Sequence, residues 1–300
     1  MQYLPKEKRT LDTQWRDNLE LILTKGTRTR SPMVDEKGEE VDCITYLCPP
    51  PMRYKLENGF PINTARKCGF WKASIGELLG FINGANTQAE LEEFGCKWWK
   101  YWVTKEKCEK RGIKEGDLGK GGYGHVFTAF ETADGPFNQV EAIIQQMKER
   151  PELKTHVITN WEPQYTIRIN GKPNSVVVCP CHGMMYFTIL ENKLNLTMVQ
   201  RSGDWIPGVT TNTIQYSALL MAVARELGLE PDELVHVVNN AHVYVNQLPW
   251  AQELLERKIH PYPEMYLRAE GKTLWEIRPD DFELVDYESE PAMSKIPVTI

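Results

Sequence analysis

The chain has 300 residues, 41% hydrophobic and 25% charged, with a formal net charge of -6. That supports a sizeable core in one large domain or two small ones, and the acidic balance speaks against nucleic acid held by bulk attraction. No apolar run reaches the roughly 20 residues of a membrane helix, and the first residues lack an export signal's apolar stretch, so a cytoplasmic chain with its seven cysteines reduced is expected.

In chain order, residues 12–25 read as a first helix, with Asp12 as cap, Trp15, Leu19, Ile22 and Leu23 on one face and Gly26 as terminator. Residues 27–42 read as a basic, mobile loop. Residues 43–48 and 52–56 read as strands, followed by a Glu57-Asn58-Gly59 turn. Helices are predicted over 71–82 and over 88–94, the second capped by Thr87. Trp98, Trp99, Tyr101 and Trp102 form a dense aromatic run, most simply core or lid packing. Residues 105–115 read as a charged surface insertion. Gly119, Gly121 and Gly124 fit a kinase-style loop only loosely, and no other kinase motif follows, so residues 117–126 read as a tight loop presenting Tyr123.

Residues 137–150 form an amphipathic helical pattern stopped by Pro151. A strand over 156–160 and a turn at Asn170-Gly171 follow. Two strands flank the turn at Glu191-Asn192-Lys193, and residues 213–227 read as a buried helix. Strands are predicted at 234–238 and 242–245, a helix at 248–257, and short late strands at 266–267, 274–277 and 282–285. Helices and strands mix without regular alternation, which indicates an α+β fold. No repeat or flexible linker divides residues 1–300, so one domain is expected. Cys43, Cys48, Cys68, Cys96 and Cys108 are expected to fill small apolar spaces.

Chemistry-bearing residues concentrate between Cys179 and Asn212. A free cysteine is only a few per cent thiolate at neutral pH, and a nearby cation makes it a nucleophile. If the strands pair through the 191–193 turn, Arg201 and Cys181 belong to the same end of one hairpin. Three other readings stand beside this one. Cys181 could be a structural cysteine; Cys179, Cys181 and His182 could be half a zinc site, though no second Cys/His pair stands at ligand spacing. A thiol hydrolase would need His242 as partner, and the flanking pattern of those enzymes is missing. His242 and Tyr244 alternate on a strand and so share a face, beside Asn239 and Asn240, suited to a hydroxylated ligand.

Taken together, Pro180-Cys181-His182, then Gln200-Arg201-Ser202, Asp204, Gly208 and Asn212, then His242 and Tyr244 resemble the thymidylate synthase family in order and spacing. Further matches are the strand from Met52 to Pro61, the helix carrying Glu77, the Trp99/Trp102 pair, the segment Asp117-Leu118-Gly119 to Tyr123-Gly124, and the tail ending in Ile300. The resemblance implies a large mixed β-sheet flanked by helices and a sheet-to-sheet homodimer. It implies addition of the Cys181 thiolate to C6 of dUMP, followed by one-carbon transfer to C5 from 5,10-methylenetetrahydrofolate. By the same resemblance Arg201 poises Cys181 and holds phosphate with Ser202. Asn212 hydrogen-bonds the pyrimidine at N3 and O4, His242 and Tyr244 hold the sugar hydroxyl, and Gln200 and Lys154 also belong to the substrate site. Glu77 runs the proton network at O4 and Tyr123 assists loss of the C5 proton. Asp204, Trp99, Gly208 and the Ile300 carboxylate serve the folate.

Departures from the family pattern cluster around the phosphate. The paired arginines donated across the dimer fall on Lys154 and Thr155, and the basic loop near Arg28 and Arg30 is longer. An arginine gives a bidentate grip that a lysine does not. The usual tryptophan of the glutamate helix is Gly80, and Asn239-Asn240 replaces Gly-Asp. Thymidylate synthase activity is the first expectation. A pyrimidine-nucleotide 5-hydroxymethylase on the same scaffold is the second, and an inactive nucleotide-binding relative the third. No nucleic-acid or membrane partner is expected, and no metal.

Overall fold

The computed structural model of the chain describes residues 1–169, 171, 174–293 and 296–299. Chain order begins with α1 (Gln14–Lys25), β1 (Thr27–Thr29), β2 (Cys43–Leu47) and β3 (Met52–Lys55), then α2 (Trp71–Ile82), α3 (Gln88–Glu93), α4 (Lys105–Glu109) and α5 (Tyr123–Thr128). A small hairpin of β4 (Phe130–Thr132) and β5 (Gly135–Phe137) precedes α6 (Gln139–Glu149), β6 (Val157–Ile158) and α7 (Pro163–Thr166). The remainder comprises β7 (Met184–Leu190), β8 (Lys193–Asp204), α8 (Thr210–Glu226), β9 (Glu230–Tyr244), α9 (Leu248–Glu256), β10 (Glu264–Leu267) and β11 (Phe282–Val285).

Among the described residues the main sheet runs β1-β2-β9-β8-β7-β6, with β3 paired to the first half of β9. Strands β8 and β9 are parallel and the other neighbours antiparallel, so the fold is α+β with a large mixed sheet, as the sequence indicates. The β7–β8 hairpin turns on Glu191 and Asn192, at φ 50° and 60°, the left-handed pair that a tight two-residue hairpin needs. Register then puts Phe187, Leu196 and Leu234 in one row and Met185, Met198 and His236 in the next, all buried on one face. Helix α8 is buried from Thr210 to Ala224 apart from Thr211, and packs against α2 as well as against β8 and β9. Each fully buried Leu of this layer contributes about 1.5–3 kcal/mol.

Two glycines set the seat of α2. A Cβ at Gly76 would stand 1.8 Å from the Phe94 carbonyl oxygen, so only glycine lets the helix backbone approach that turn. A Cβ at Gly80 would stand 3.0 Å from Leu91 and 3.4 Å from the Phe94 ring, so the space a tryptophan would need is already filled.

The structure differs from the sequence reading at several points. Segments 234–238 and 242–245 form one strand, β9, because Asn240 is laddered on both sides, to Leu47 and to Ser202. Residues 27–29 form the edge strand β1 rather than loop, and α4 lies inside the charged insertion. Tyr123 begins a helix instead of standing in a loop. Residues 274–276 form a 3₁₀ turn rather than a strand, because Thr273 and Glu276 cap each other and outweigh the apolar pattern. Cys43, Cys68, Cys96 and Cys108 are buried as expected, whereas Cys48 is exposed, at φ 52° beside the end of β2. The turn predicted at Asn170 falls outside the described residues.

Candidate active site

Cys181 lies just ahead of β7 and Arg201 near the end of β8, so the hairpin brings them together. The Arg201 N–H donates to the Cys181 carbonyl at 2.7 Å. Its guanidinium donates to the carbonyls of Pro180 and Cys179, each at 3.2 Å, and stands 3.4 Å from Cys181 Sγ through Nη2. Trp161 lies under the same guanidinium, 5.5 Å from ring to Cζ, a cation–π contact that further fixes it. Burial pushes the Cys181 thiol above its ordinary value while the Arg201 charge draws it down. Burial prevails, so the resting group is a thiol with its cation already in place.

Tyr123 reaches the same cysteine from α5: its hydroxyl oxygen accepts the Cys181 N–H at 2.7 Å, leaving the phenolic hydrogen to donate elsewhere. The ring is sandwiched, 4.7 Å from Phe81 and 4.6 Å from His182. Nδ1 of His182 pairs with the Tyr216 hydroxyl at 2.7 Å, and burial holds this imidazole neutral, down to about 3.

Behind them a buried polar line begins at Glu77 on α2. Oε1 accepts indole N–H bonds from Trp98 at 2.7 Å and Trp99 at 2.5 Å, and Oε2 accepts from the Gln215 amide at 2.5 Å. Burial raises the Glu77 carboxyl and these donors pull it back. Asn212 and Gln215 sit one turn apart on α8, spacing that puts both on one face, and Asn212 Nδ2 donates to Gln215 Oε1 at 2.9 Å. Gln200 on β8 donates to Asn212 Oδ1 at 2.9 Å, and its own Oε1 meets His236 Nε2 at 2.8 Å.

The parallel register of β8 and β9 sets Ser202 opposite Asn240 and Asp204 opposite His242. His242 is buried; its Nδ1 engages the Asn240 side-chain oxygen at 3.0 Å, and burial then Arg201's charge lower it to about 4, so it is neutral with Nε2 available to a hydroxyl. Tyr244 packs edge-on to it at 5.2 Å, as the alternation predicts. Burial raises Asp204 to about 7, with Gln247, the Ile206 backbone N–H and the Arg66 charge opposing. One of its oxygens accepts from Gln247 at 2.9 Å; the other, Oδ1, is buried without a partner. Gly208, in the π-helical turn Trp205–Val209, adds only van der Waals contact beside Asp204 were it given a Cβ. Gln247 also donates to the Pro297 carbonyl at 3.0 Å, tying the tail to the Asp204 corner.

Thus Cys181, Arg201, Tyr123, Glu77, Asn212, Gln200, Ser202, His242, Tyr244 and Asp204 surround one end of the β8–β9 pair. Trp99 is buried against Phe81, Trp102 and Tyr123, and its polar edge serves Glu77. Lys154 is exposed, and the antiparallel β6–β7 register carries it toward the Leu190 end of the hairpin, away from Cys181 of the same chain. Arg28 and Arg30 pair with Asp42 and Glu40 at 2.9 and 2.6 Å. Ile300 lies outside the described residues. Among the described residues no group of His, Cys, Asp or Glu could hold a metal ion, and no helix is long and apolar enough to cross a membrane.

Sequence reasoning passed over Gln215, Trp98 and Gln247 as site residues, and weighed His182 only as a zinc ligand and a motif residue. His182 adjoins Cys181, and Gln215 lies three residues after Asn212 on a predicted helix, so both carried a signal. Trp98 and Gln247 acquire their roles only through tertiary contact. The thymidylate synthase family model matches residues 13–299 of the 300. The chain therefore belongs to the thymidylate synthase family, methyltransferase-type enzymes of one-carbon transfer to C5 of dUMP with methylenetetrahydrofolate as co-substrate.

Proposed function

We propose that this chain is a thymidylate synthase, forming dTMP and dihydrofolate. The observation that carries the one-carbon transfer is the Arg201 guanidinium 3.4 Å from Cys181 Sγ, and the buried Trp99 together with the tail held by Gln247 at the Asp204 corner favours hydride over water. A thiol in that position can lose its proton and bond to C6 of the uracil ring, which turns C5 into a carbon nucleophile. Negative charge then gathers on O4, where the remaining N–H of Asn212 supplies a donor held in advance. The Tyr123 phenol, fixed by the Cys181 amide, assists departure of the C5 proton. Arg201 and Ser202 hold the phosphate, and neutral His242 with Tyr244 binds the sugar hydroxyl.

The co-substrate 5,10-methylenetetrahydrofolate supplies the carbon and, in the synthase reaction, the hydride. The unpartnered Asp204 Oδ1 fits an N–H of its pterin ring. Gly208 and Trp99 complete that corner, and Ile300 belongs to the tail that would close over it.

The chain acts as one domain, in the cytoplasm, and as a homodimer. Supporting the dimer, the sheet face away from α8 carries Tyr186, Thr197 and Val235 in one row and Val199 and Val237 in the next, none of them fully buried.

The test is incubation with dUMP and methylenetetrahydrofolate, following dihydrofolate absorbance and the mass of the nucleotide. Dihydrofolate with dTMP is expected. Hydroxymethyl-dUMP without dihydrofolate would assign the 5-hydroxymethylase reaction instead. No product and no hydrogen release from C5 would leave an inactive nucleotide-binding relative.

A further inference from the structure

Five buried side chains form an unbroken line beneath the base-reading position. Glu77 Oε2 accepts from Gln215 Nε2, Gln215 Oε1 accepts from Asn212 Nδ2, Asn212 Oδ1 accepts from Gln200 Nε2, and Gln200 Oε1 meets His236. Gln215 and His236 are 0% exposed, so no water can substitute for a missing partner without repacking. The line has a polarity, because an amide donates at one end and accepts at the other. Next to the His236 end, Gln200 Nε2 also donates to the Ser202 carbonyl at 3.0 Å, an oxygen that can only accept. At the other, Glu77 accepts on both oxygens, from the Trp98 and Trp99 indoles and from Gln215. With both termini fixed, Asn212 must turn its nitrogen toward Gln215 and its oxygen toward Gln200.

Uracil presents a donor at N3 and an acceptor at position 4, and cytosine presents the reverse. An asparagine free to rotate by 180° serves either ring, and a locked one serves a single pattern. Reversing Asn212 here would set oxygen against oxygen at Gln215 and nitrogen against nitrogen at Gln200, leaving buried groups unpaired.

We propose that Gln215 is a specificity-determining positioning residue: by bridging Glu77 and Asn212 it locks the Asn212 amide, so that the site takes a uracil nucleotide and rejects a cytosine one. This rests on the pyrimidine-nucleotide reading of the site. Gln215 acts through Asn212 and needs no contact with the base.

The experiment is calorimetric binding of dUMP and dCMP to the full chain and to Gln215→Met, Gln215→Ser and Gln215→Glu, each checked for cooperative unfolding. Wild type should prefer dUMP. Gln215→Met, of similar volume without polarity, should narrow that preference by about tenfold or more, and Gln215→Ser provides the same reading if the first variant does not fold. Gln215→Glu should keep the preference, since an acid sharing one proton with Glu77 donates to it and still accepts from Asn212. An unchanged dUMP:dCMP ratio in Gln215→Met or Gln215→Ser overturns the lock, as does loss of the preference in Gln215→Glu. Folded variants that bind neither nucleotide also overturn it, since Gln215 then supports binding rather than choice. A wild type that binds neither would instead overturn the nucleotide reading on which the lock depends.

Discussion

Arg201 Nη2 stands 3.4 Å from Cys181 Sγ, yet the thiol remains above its ordinary value because burial outweighs the cation. The pair is poised rather than ionised, and the sign of its pH dependence follows. Thiolate grows as pH rises, so alkylation of Cys181 by iodoacetamide should accelerate with pH. Removing the guanidinium in Arg201→Ala raises the thiol further and should displace that profile to higher pH. A profile unmoved by the substitution, with the modified residue identified as Cys181 by mass spectrometry, would show that the contact is not electrostatically coupled.

Cys181→Ser replaces the sulfur with a far weaker nucleophile while keeping its shape. Turnover should fall by at least about 10³-fold, with dUMP affinity retained within a few-fold. Rates from dihydrofolate absorbance and affinities from calorimetry check the two halves separately. Surviving turnover would mean that another group attacks the ring.

Asn212→Asp places a carboxyl where the amide reads the base. A protonated acid there can donate to N3 of cytosine while accepting from its amino group, a gain that outweighs the oxygen it sets against Gln215 Oε1. The ratio of dCMP to dUMP binding should rise by about tenfold or more, measured by competition. An unaltered ratio would remove Asn212 from base recognition.

Asp204 rises from the ordinary 3.8 to about 7. Between these values the folded state keeps a proton that the unfolded state has released, so stability falls as pH rises through the window. Asp204→Asn cannot ionise, so its melting temperature should exceed that of wild type by a margin that opens between about pH 4 and pH 7 and is largest above it. If Asp204 holds the folate, KM for methylenetetrahydrofolate should rise in the same variant. A margin independent of pH would place the effect elsewhere than in this carboxyl.

What the sequence by itself determined is the set of elements with strong local signals and the residues that carry chemistry in a recognisable order. Trp71–Ile82 appears at the limits its apolar pattern predicts, and Thr87 caps α3 as read, with Glu90 completing a capping box that the structure adds. The hairpin between Cys181 and Arg201 was legible because alternation and a short turn fix register within two neighbouring strands. Tertiary structure alone decided the rest. Asn239 and Asn240 look like a strand break, and only ladders on both sides keep them extended. Trp98 and Trp99 look like packing, and only the closing of their turn against α2, where α8 also brings Gln215, sets three donors on one carboxylate. Local sequence specifies the conformation of a segment, but the partner of a buried donor is chosen by whichever distant element closes against it, because a buried polar group must be paired.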